Sequence, residues 1–209
     1  MPTPFLWFEF LALFGLTPLL HALGWLPFPK IPLLLVFAGG CLIYLGKGGY
    51  LPKTEFSVFL HENRANLRAI ALRSLAIALC SVLVVLVWAP DQLFSFPRTR
   101  PLLWAAVMLL YPLLSAFPQE AVYRAFLFRR YAPILQSDHA RTWASVLAFS
   151  FLHIVFGNWV AVALTLPAGW IFARTYRRTG SLILASVEHA AYGCIVFTVG
   201  LGRFFYHPG

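Results

Sequence analysis

The stretch 74–89, SLAIALCSVLVVLVWA, contains no charged residue. A helix that crosses a bilayer needs about 20 predominantly apolar residues, so this run and its flanks are long enough for one span. The whole chain of 209 residues shares this character, since it is 60% hydrophobic and only 11% charged. A soluble domain usually carries about 25% charged residues. The composition therefore predicts an integral membrane protein and excludes an ordinary soluble one.

Apolar runs of this kind recur along the chain and predict seven spanning helices. They cover approximately residues 5–23, 31–45, 74–89, 101–117, 141–156, 159–173 and 181–204. The fourth run can continue past Pro118 as far as Tyr131, and a break at Pro118 or at Gly193 would add an eighth helix. The predicted fold class is all-α, a polytopic membrane helical bundle of about seven or eight transmembrane helices.

Residues 50–73 differ from these runs because their pattern is amphipathic. The apolar side chains and the one amide that recur at helical spacing are Phe56, Phe59, Leu60, Asn63 and Leu67. Three arginines accompany them, namely Arg64, Arg68 and Arg73. Such a pattern is typical of a helix that lies in the membrane interface. The alternative is an ordinary polar loop that contains a few apolar residues.

The excess of basic residues indicates the orientation of the chain. Sixteen Lys and Arg residues stand against seven Asp and Glu residues. They lie between apolar runs rather than in clusters with interleaved aromatic residues, so nucleic acid is not an expected partner. Eleven of the sixteen fall in 47–73, 129–141 and 174–178, on the side of the bilayer that also carries the N-terminus. The positive-inside rule predicts a cytoplasmic N-terminus, and we expect a multipass protein of a bacterial inner membrane.

Six ionisable side chains lie inside the apolar runs: Glu9, His21, Glu120, His153, Glu188 and His189. An ionisable group in the hydrocarbon core is costly, so each is expected to have a role or a partner. Arg124 follows Glu120 by four residues, and side chains at this spacing meet on one face of a helix. The pair would keep Glu120 ionised, or it would only tie its helix to a neighbouring one.

Glu120, His153 and His189 lie on three separate predicted spans and suggest a reactive site. Two imidazoles and a carboxylate can bind a metal, or they can activate a water beside one. The same groups suit metal-free chemistry, in which a carboxylate activates water and imidazoles stabilise the oxyanion. A third reading is a transporter with a proton path through Glu9, Glu120 and Glu188, but the absence of an internal repeat disfavours it.

Three short motifs resemble those of the CAAX protease and bacteriocin-processing family of intramembrane proteases, which includes the Ras-converting CAAX endopeptidase. The family pattern is Glu-Glu-x-x-x-Arg, then Phe-x-x-x-His, then His-x-x-x-Asn. In this sequence the motifs fall at Gln119-Glu120-x-x-x-Arg124, Phe149-x-x-x-His153 and His189-x-x-x-Gly193. The resemblance covers the second half of the chain. It divides the protein into N-terminal helices with the interfacial helix, 1–100, and a catalytic core, 101–209.

The resemblance implies an intramembrane endopeptidase that hydrolyses a peptide bond in a membrane-associated or lipidated peptide. The implied partners are the lipid bilayer and a peptide or prenylated protein substrate. We expect Glu120 to act as general base on a water, with Arg124 as its partner. We expect His153 and His189 to act as metal ligands or oxyanion donors, and Gln119 as a positioning group. A divalent metal such as zinc is one option for the two histidines. Possible auxiliary residues are Tyr123, Asn158 and Glu188.

Two positions depart from the family pattern. Gln119 stands where the family has the first Glu, which is usually assigned as the water-activating base, and an amide is not basic. Gly193 stands where the family has an Asn that would polarise the oxyanion. The alternative to a peptidase is therefore a catalytically degenerate member that acts as a peptide-binding, immunity or scaffold protein in the membrane.

Overall fold

The computed structural model describes residues 3–51 and 63–206. Its helices are α1 (Thr3–Ala22), α2 (Lys30–Lys47), α3 (Arg64–Trp88), α4 (Ser95–Thr99), α5 (Pro101–Arg130), α6 (Asp138–Leu152), α7 (Trp159–Thr179) and α8 (Leu182–Val199). Short 3₁₀ turns occupy Pro90–Gln92, His153–Phe156 and Leu201–Phe205. No strand occurs within the described ranges, and the prediction of an all-α membrane bundle is confirmed.

Five of these helices, α1, α2, α3, α5 and α8, are long and apolar enough to cross a membrane. The predicted fifth and sixth spans form α6 and α7, which are not among the five. The first of them has only 15 residues, and the second ends on Arg174, Arg177 and Arg178. The predicted count of seven or eight spans is therefore not confirmed for the described part of the chain.

Large apolar side chains cover the outside of the bundle. Phe8, Trp88, Leu102 and Trp159 are 73%, 83%, 87% and 81% exposed. A water-soluble monomer rarely exposes such extensive apolar surface. Lipid is the solvent that suits it, and the chain is an integral membrane protein.

The structure describes only the second part of the predicted interfacial segment. Residues 52–62, with Phe56, Phe59 and Leu60, lie outside the described residues. The remainder is continuous with the third span, because α3 begins at Arg64 rather than at residue 74. Arg73 is drawn into the bundle, since its Nε donates to the buried carboxylate of Glu188 at 2.7 Å.

Helix α5 carries the first motif and contains two π turns, Pro112–Ala116 and Ala121–Phe126. Proline lacks a backbone N–H and crowds the preceding turn of a helix. A π turn is wider than an α turn and accommodates a local irregularity of this kind without ending the helix. Consequently α5 continues through Pro118, and the predicted break there is absent. Helix α8 likewise continues through Gly193.

Helix α8 is the most buried of the five candidate spans and packs against α3, α5 and α7. Its N-terminus is capped by the Ser181 hydroxyl, which accepts a hydrogen bond from the amide of Leu184 at 3.2 Å. Helices α6 and α7 pack against each other, and Ser137 and Asn158 cap their N-termini. This arrangement brings α5, α6 and α8, with one motif each, around a shared interior.

Candidate active site

A cavity of about 760 Å³ lies between helices α2, α3, α5, α6, α7 and α8. Most of its walls are apolar. Its polar lining includes Gln119, His153 and His189. Three of the apolar lining residues, Val84, Leu103 and Leu110, are also 44–50% exposed on the outer surface of the bundle. The cavity is therefore bounded in part by side chains that face the lipid.

His189 lies between this cavity and the carboxylate of Glu120. Its Nδ1 is 2.8 Å from Oε1 of Glu120, although the two residues are 69 positions apart in sequence. Glu120 is fully buried and does not line the cavity, whereas His189 does. An ionised carboxylate only accepts hydrogen bonds, so Nδ1 of His189 donates. Its Nε2 makes no hydrogen bond within the described part of the chain and remains for the cavity.

Arg124 holds the second oxygen of Glu120 in a fully buried ion pair. Its Nε lies 3.2 Å from Oε2 of Glu120, close enough for a salt bridge but without hydrogen-bond geometry. The far side of the guanidinium donates to Ser145 Oγ at 3.0 Å and to the carbonyl of Gly169 at 3.4 Å. Its centre also lies 4.6 Å from the ring of Phe149. The pairing expected from the four-residue spacing is therefore present.

His153 follows directly on α6, in the 3₁₀ turn at the wall of the cavity. Its Nδ1 lies 2.8 Å from the carbonyl oxygen of Phe149. A carbonyl oxygen only accepts, so this nitrogen carries the proton and the neutral ring presents Nε2 as an acceptor. The ring of Phe149 lies 4.8 Å from that of His153 and 5.4 Å from that of His189, and Phe172 stacks on His189. Aromatic rings thus fix both imidazoles.

Gln119 also lines the cavity, one residue before Glu120. Its Nε2 donates to the hydroxyl of Ser115 at 2.8 Å. Its Oε1 is buried and has no hydrogen-bond partner among the described residues. A buried acceptor without a partner is costly, so a bound water or a substrate N–H at this point would be favourable.

Glu188, the other buried acid of the second half, is not among the residues that line the cavity. Its carboxylate is fully buried and accepts hydrogen bonds from Arg73, Thr175 and Tyr192. These three donors engage both of its oxygens. The structure therefore places this acid in a separate ion pair between α3 and α8.

The two other auxiliary residues have structural surroundings. The side chain of Asn158 accepts from the amide of Ala161 at 2.9 Å and donates to the carbonyl of Phe204 at 2.9 Å. Tyr123 is buried against the ring of Phe149, and its carbonyl accepts a hydrogen bond from Ser145. Neither residue lines the cavity.

The donor set does not fit a resident zinc ion. Catalytic zinc sites use three protein ligands and one open position. Within residues 3–51 and 63–206, no group of three or more His, Cys, Asp or Glu side chains is placed to hold a metal. Nδ1 is already occupied in both histidines, so His153 and His189 offer two nitrogens between them. The predicted metalloprotease chemistry has no support in these residues.

Tyr111 is a polar lining residue that motif reasoning overlooks. It lies in α5 immediately before the first π turn, and its ring centre is 6.0 Å from that of His189. Tyr111, Ser115 and Gln119 are spaced by four residues and all line the cavity. This row of polar residues at four-residue spacing in an apolar helix is the sequence pattern that predicts Tyr111 as a cavity residue.

Gly193 leaves the space that the ring of Tyr111 fills. A Cβ built at Gly193 would overlap Cε1, Cζ and Oη of Tyr111. Gly193 is one helical turn beyond His189 in α8, so the tip of the phenol ring occupies the place of a side chain next to that histidine. The departure at Gly193 and the presence of Tyr111 are therefore one structural feature.

A comparison with protein-family models gives a match in the second half of the chain. The model described as "Type II CAAX prenyl endopeptidase Rce1-like" matches residues 101–195. No curated protein and no solved structure matches the chain. The matched region includes all three motifs and the residues around His189, and it confirms the family to which the motifs point. Over residues 101–195, the chain is therefore similar to the Rce1-like type II CAAX prenyl endopeptidases.

Proposed function

We propose that this protein is an intramembrane endopeptidase in which His189, oriented by Glu120, activates a water molecule for attack on a peptide bond. One observation carries the proposal. His189 bridges the buried carboxylate of Glu120 and the cavity, with Nδ1 bound to the former and Nε2 left for the latter. A histidine held by a carboxylate in this way has a fixed tautomer and a stabilised imidazolium.

The reaction follows from this arrangement. Nε2 of His189 takes a proton from water as the water oxygen bonds to the substrate carbonyl carbon, and the carbonyl oxygen becomes an oxyanion. The imidazolium formed is stabilised by Glu120, which remains ionised. It then gives its proton to the departing amine nitrogen as the C–N bond breaks. The products are a carboxylic acid and an amine, and the imidazole of His189 returns to its neutral form.

Glu120 is a positioning residue in this proposal, whereas the sequence-based hypothesis has it as the base on water in place of the Glu that position 119 lacks. Two features favour the indirect role. Its carboxylate is fully buried, and its two oxygens face His189 and Arg124. Direct activation of water by Glu120 would require a water at a position that these side chains now cover.

The other residues at the cavity have supporting roles. Nε2 of His153 accepts a hydrogen bond from the attacking water, and the free Oε1 of Gln119 accepts one from the substrate backbone. Arg124 forms the ion pair with Glu120 and holds its carboxylate in place. The role of a metal stays outside the proposal because the donor set does not fit one.

The chemistry of the cavity supports an apolar, membrane-embedded substrate. The walls are mostly apolar, and part of them belongs to the lipid-facing surface. The family name refers to prenylated substrates. We propose a peptide with a lipidated or strongly apolar segment, which enters from the bilayer with its scissile bond near His189.

The second candidate function is a peptide-binding member without catalysis, such as an immunity or scaffold protein. Gln119 favours it, because this position lacks the carboxylate that the family pattern has. The intact pairing of Glu120 with His189 favours the enzyme, since a protein that only binds peptide has no use for a buried ionised carboxylate behind an imidazole.

Cleavage in liposomes tests the proposal. The probe is a quenched fluorescent peptide that carries S-farnesylcysteine followed by three apolar residues, with an unprenylated peptide as a comparison. We expect wild-type protein to cleave the probe, and His189→Ala to lower kcat by about 10²–10⁴-fold through loss of the general base.

His139→Ala is the matched control, because His139 is exposed at the start of α6, away from the cavity. This variant should retain wild-type kcat. If wild-type protein binds the probe but does not cleave it, the binding function replaces the enzyme. If His189→Ala cleaves as fast as wild type, a different group is the base.

A further inference from the structure

We infer that the hydroxyl of Tyr111 is the oxyanion donor of this enzyme and takes the place of the side-chain amide that Gly193 lacks. This inference rests on the proposed peptidase function. It starts from the overlap described above, since any side chain at residue 193 would occupy the volume of Cε1, Cζ and Oη of Tyr111. The phenol tip therefore stands at the position from which residue 193 would otherwise contact the substrate.

The geometry of the neighbouring residues supports a chemical role for this hydroxyl. Tyr111 lines the cavity, and its ring packs edge-on against His189 and Phe197. These contacts hold the ring in one orientation. The hydroxyl makes no hydrogen bond to a described residue, and it is not among the buried polar atoms that lack a partner. It thus reaches the cavity with its proton uncommitted.

The reaction needs a donor that the two histidines do not supply. The Nδ1 protons of His153 and His189 are donated to a carbonyl and to a carboxylate. Their neutral rings therefore present acceptors to the cavity, which suits a base and not an oxyanion. The amide nitrogen of Gln119 is already bound to Ser115. That nitrogen donates one of its two hydrogens there. Of the three cavity residues Tyr111, His153 and His189, only the tyrosine has a donor without a partner in the described part of the chain, and its ring packs against that of His189.

The proposed step is balanced without any further reactant. As the water oxygen bonds to the carbonyl carbon, the π electrons of the carbonyl move onto its oxygen. The Tyr111 O–H donates a hydrogen bond to this oxyanion and keeps its own proton. The oxyanion collapses when the C–N bond breaks, and the phenol is unchanged at the end of the cycle. Donors aimed at a developing charge in a site without bulk water are strongly stabilising.

Tyr111→Phe is the direct test because it removes the hydroxyl and keeps the ring against Gly193. With the farnesylated probe in liposomes, we expect kcat to fall about 10²-fold, with KM changed less than about threefold, as for loss of one oxyanion donor. Tyr176→Phe is the matched control. Tyr176 packs against Phe128 in α7 and does not line the cavity. This control should cleave at nearly the wild-type rate.

A binding measurement separates this inference from the proposed function. The ligand is a phosphonate analogue of the probe, in which tetrahedral phosphorus replaces the scissile carbonyl carbon. Its oxygens imitate the oxyanion, whereas the uncleaved amide probe does not. We expect Tyr111→Phe to weaken phosphonate binding by about 10–100-fold and to leave amide binding unchanged.

The outcomes are distinguishable. Absence of cleavage by wild-type protein contradicts the proposed function, and the phosphonate comparison still decides the role of Tyr111. Equal phosphonate affinity of wild type and Tyr111→Phe, including no measurable affinity in either, overturns the assignment of Tyr111. A kcat for Tyr111→Phe within about threefold of wild type overturns it as well.

Discussion

His189 is held from three directions, and each contact has a separate physical effect. Glu120 accepts the Nδ1 proton at 2.8 Å, Phe172 stacks on the ring at 4.6 Å, and Phe149 meets it edge-on. The carboxylate selects the tautomer, and the two rings select the orientation. Catalytic groups act best when neighbouring side chains fix them before the substrate arrives.

Replacement of Gln119 by Glu tests whether the family base is needed here. Since His189 already supplies a base, we expect Gln119→Glu to leave kcat within about tenfold of wild type. The measurement is cleavage of the farnesylated probe in liposomes, with Gln136→Glu as a control for added charge away from the cavity. Cleavage by Gln119→Glu alone, with none by wild type, would instead identify the natural chain as a binding protein.

The local part of the site could be predicted from the sequence, and the tertiary part could not. Glu120 and Arg124 lie on one helix, so a spacing of four was sufficient to predict their contact. Glu120 and His189 are 69 residues apart. Their contact depends on how α5 and α8 cross, which no spacing reports. The sequence also left the role of Glu188 open, because its partner Arg73 was expected outside the span.

At the level of helices, the crossing of α5 and α8 depends on a close approach at Gly193. The ring of Tyr111 lies against the backbone of α8 at this glycine, where a side chain would overlap it. The two π turns of α5 shift the register of the residues that follow them, which a regular 3.6-residue period does not anticipate. This irregularity explains why the fourth predicted helix had uncertain limits, whereas the apolar runs of α2 and α3 were recognisable from composition.

Asparagine at position 193 should destabilise the protein. Because the ring of Tyr111 fills this space, we expect Gly193→Asn to lower the free energy of unfolding by about 1–3 kcal/mol through overpacking. The measurement is thermal unfolding in detergent. The double variant Tyr111→Ala/Gly193→Asn should recover most of the loss, since the smaller side chain frees the space. Equal stability of Gly193→Asn and wild type would show that the two helices do not approach closely here.

At the scale of the whole molecule, charge is unevenly divided between the two ends of the bundle. The helix ends that carry Lys47, Arg129, Arg141 and Arg174 lie at one end, with most of the basic residues. The opposite end holds Lys30, Arg98, Arg100 and Arg203. Anionic lipid on the cytoplasmic leaflet attracts the richer end, and we propose that this end and the N-terminus face the cytoplasm of a bacterial cell.

Labelling with a membrane-impermeant maleimide tests this orientation. Asp91 and Gln136 are exposed residues on opposite sides of the span α5. In intact bacterial cells we expect label on Asp91→Cys, and on Gln136→Cys only after lysis. The wild-type protein, with Cys41, Cys80 and Cys194, gives the background. The reverse pattern would invert the bundle and contradict the orientation proposed from charge.

The central claim is that Glu120 acts through His189, and the kinetics of Glu120→Gln test it most directly. The variant keeps the shape of the side chain but removes the charge that stabilises the imidazolium. With the farnesylated probe in liposomes, the account predicts that kcat falls by about 10²–10⁴-fold and no further than in His189→Ala, because Glu120 acts through that histidine. It predicts a KM within about threefold of wild type, because Glu120 does not line the cavity. A kcat within tenfold of wild type, in a variant that still binds the probe, would contradict it.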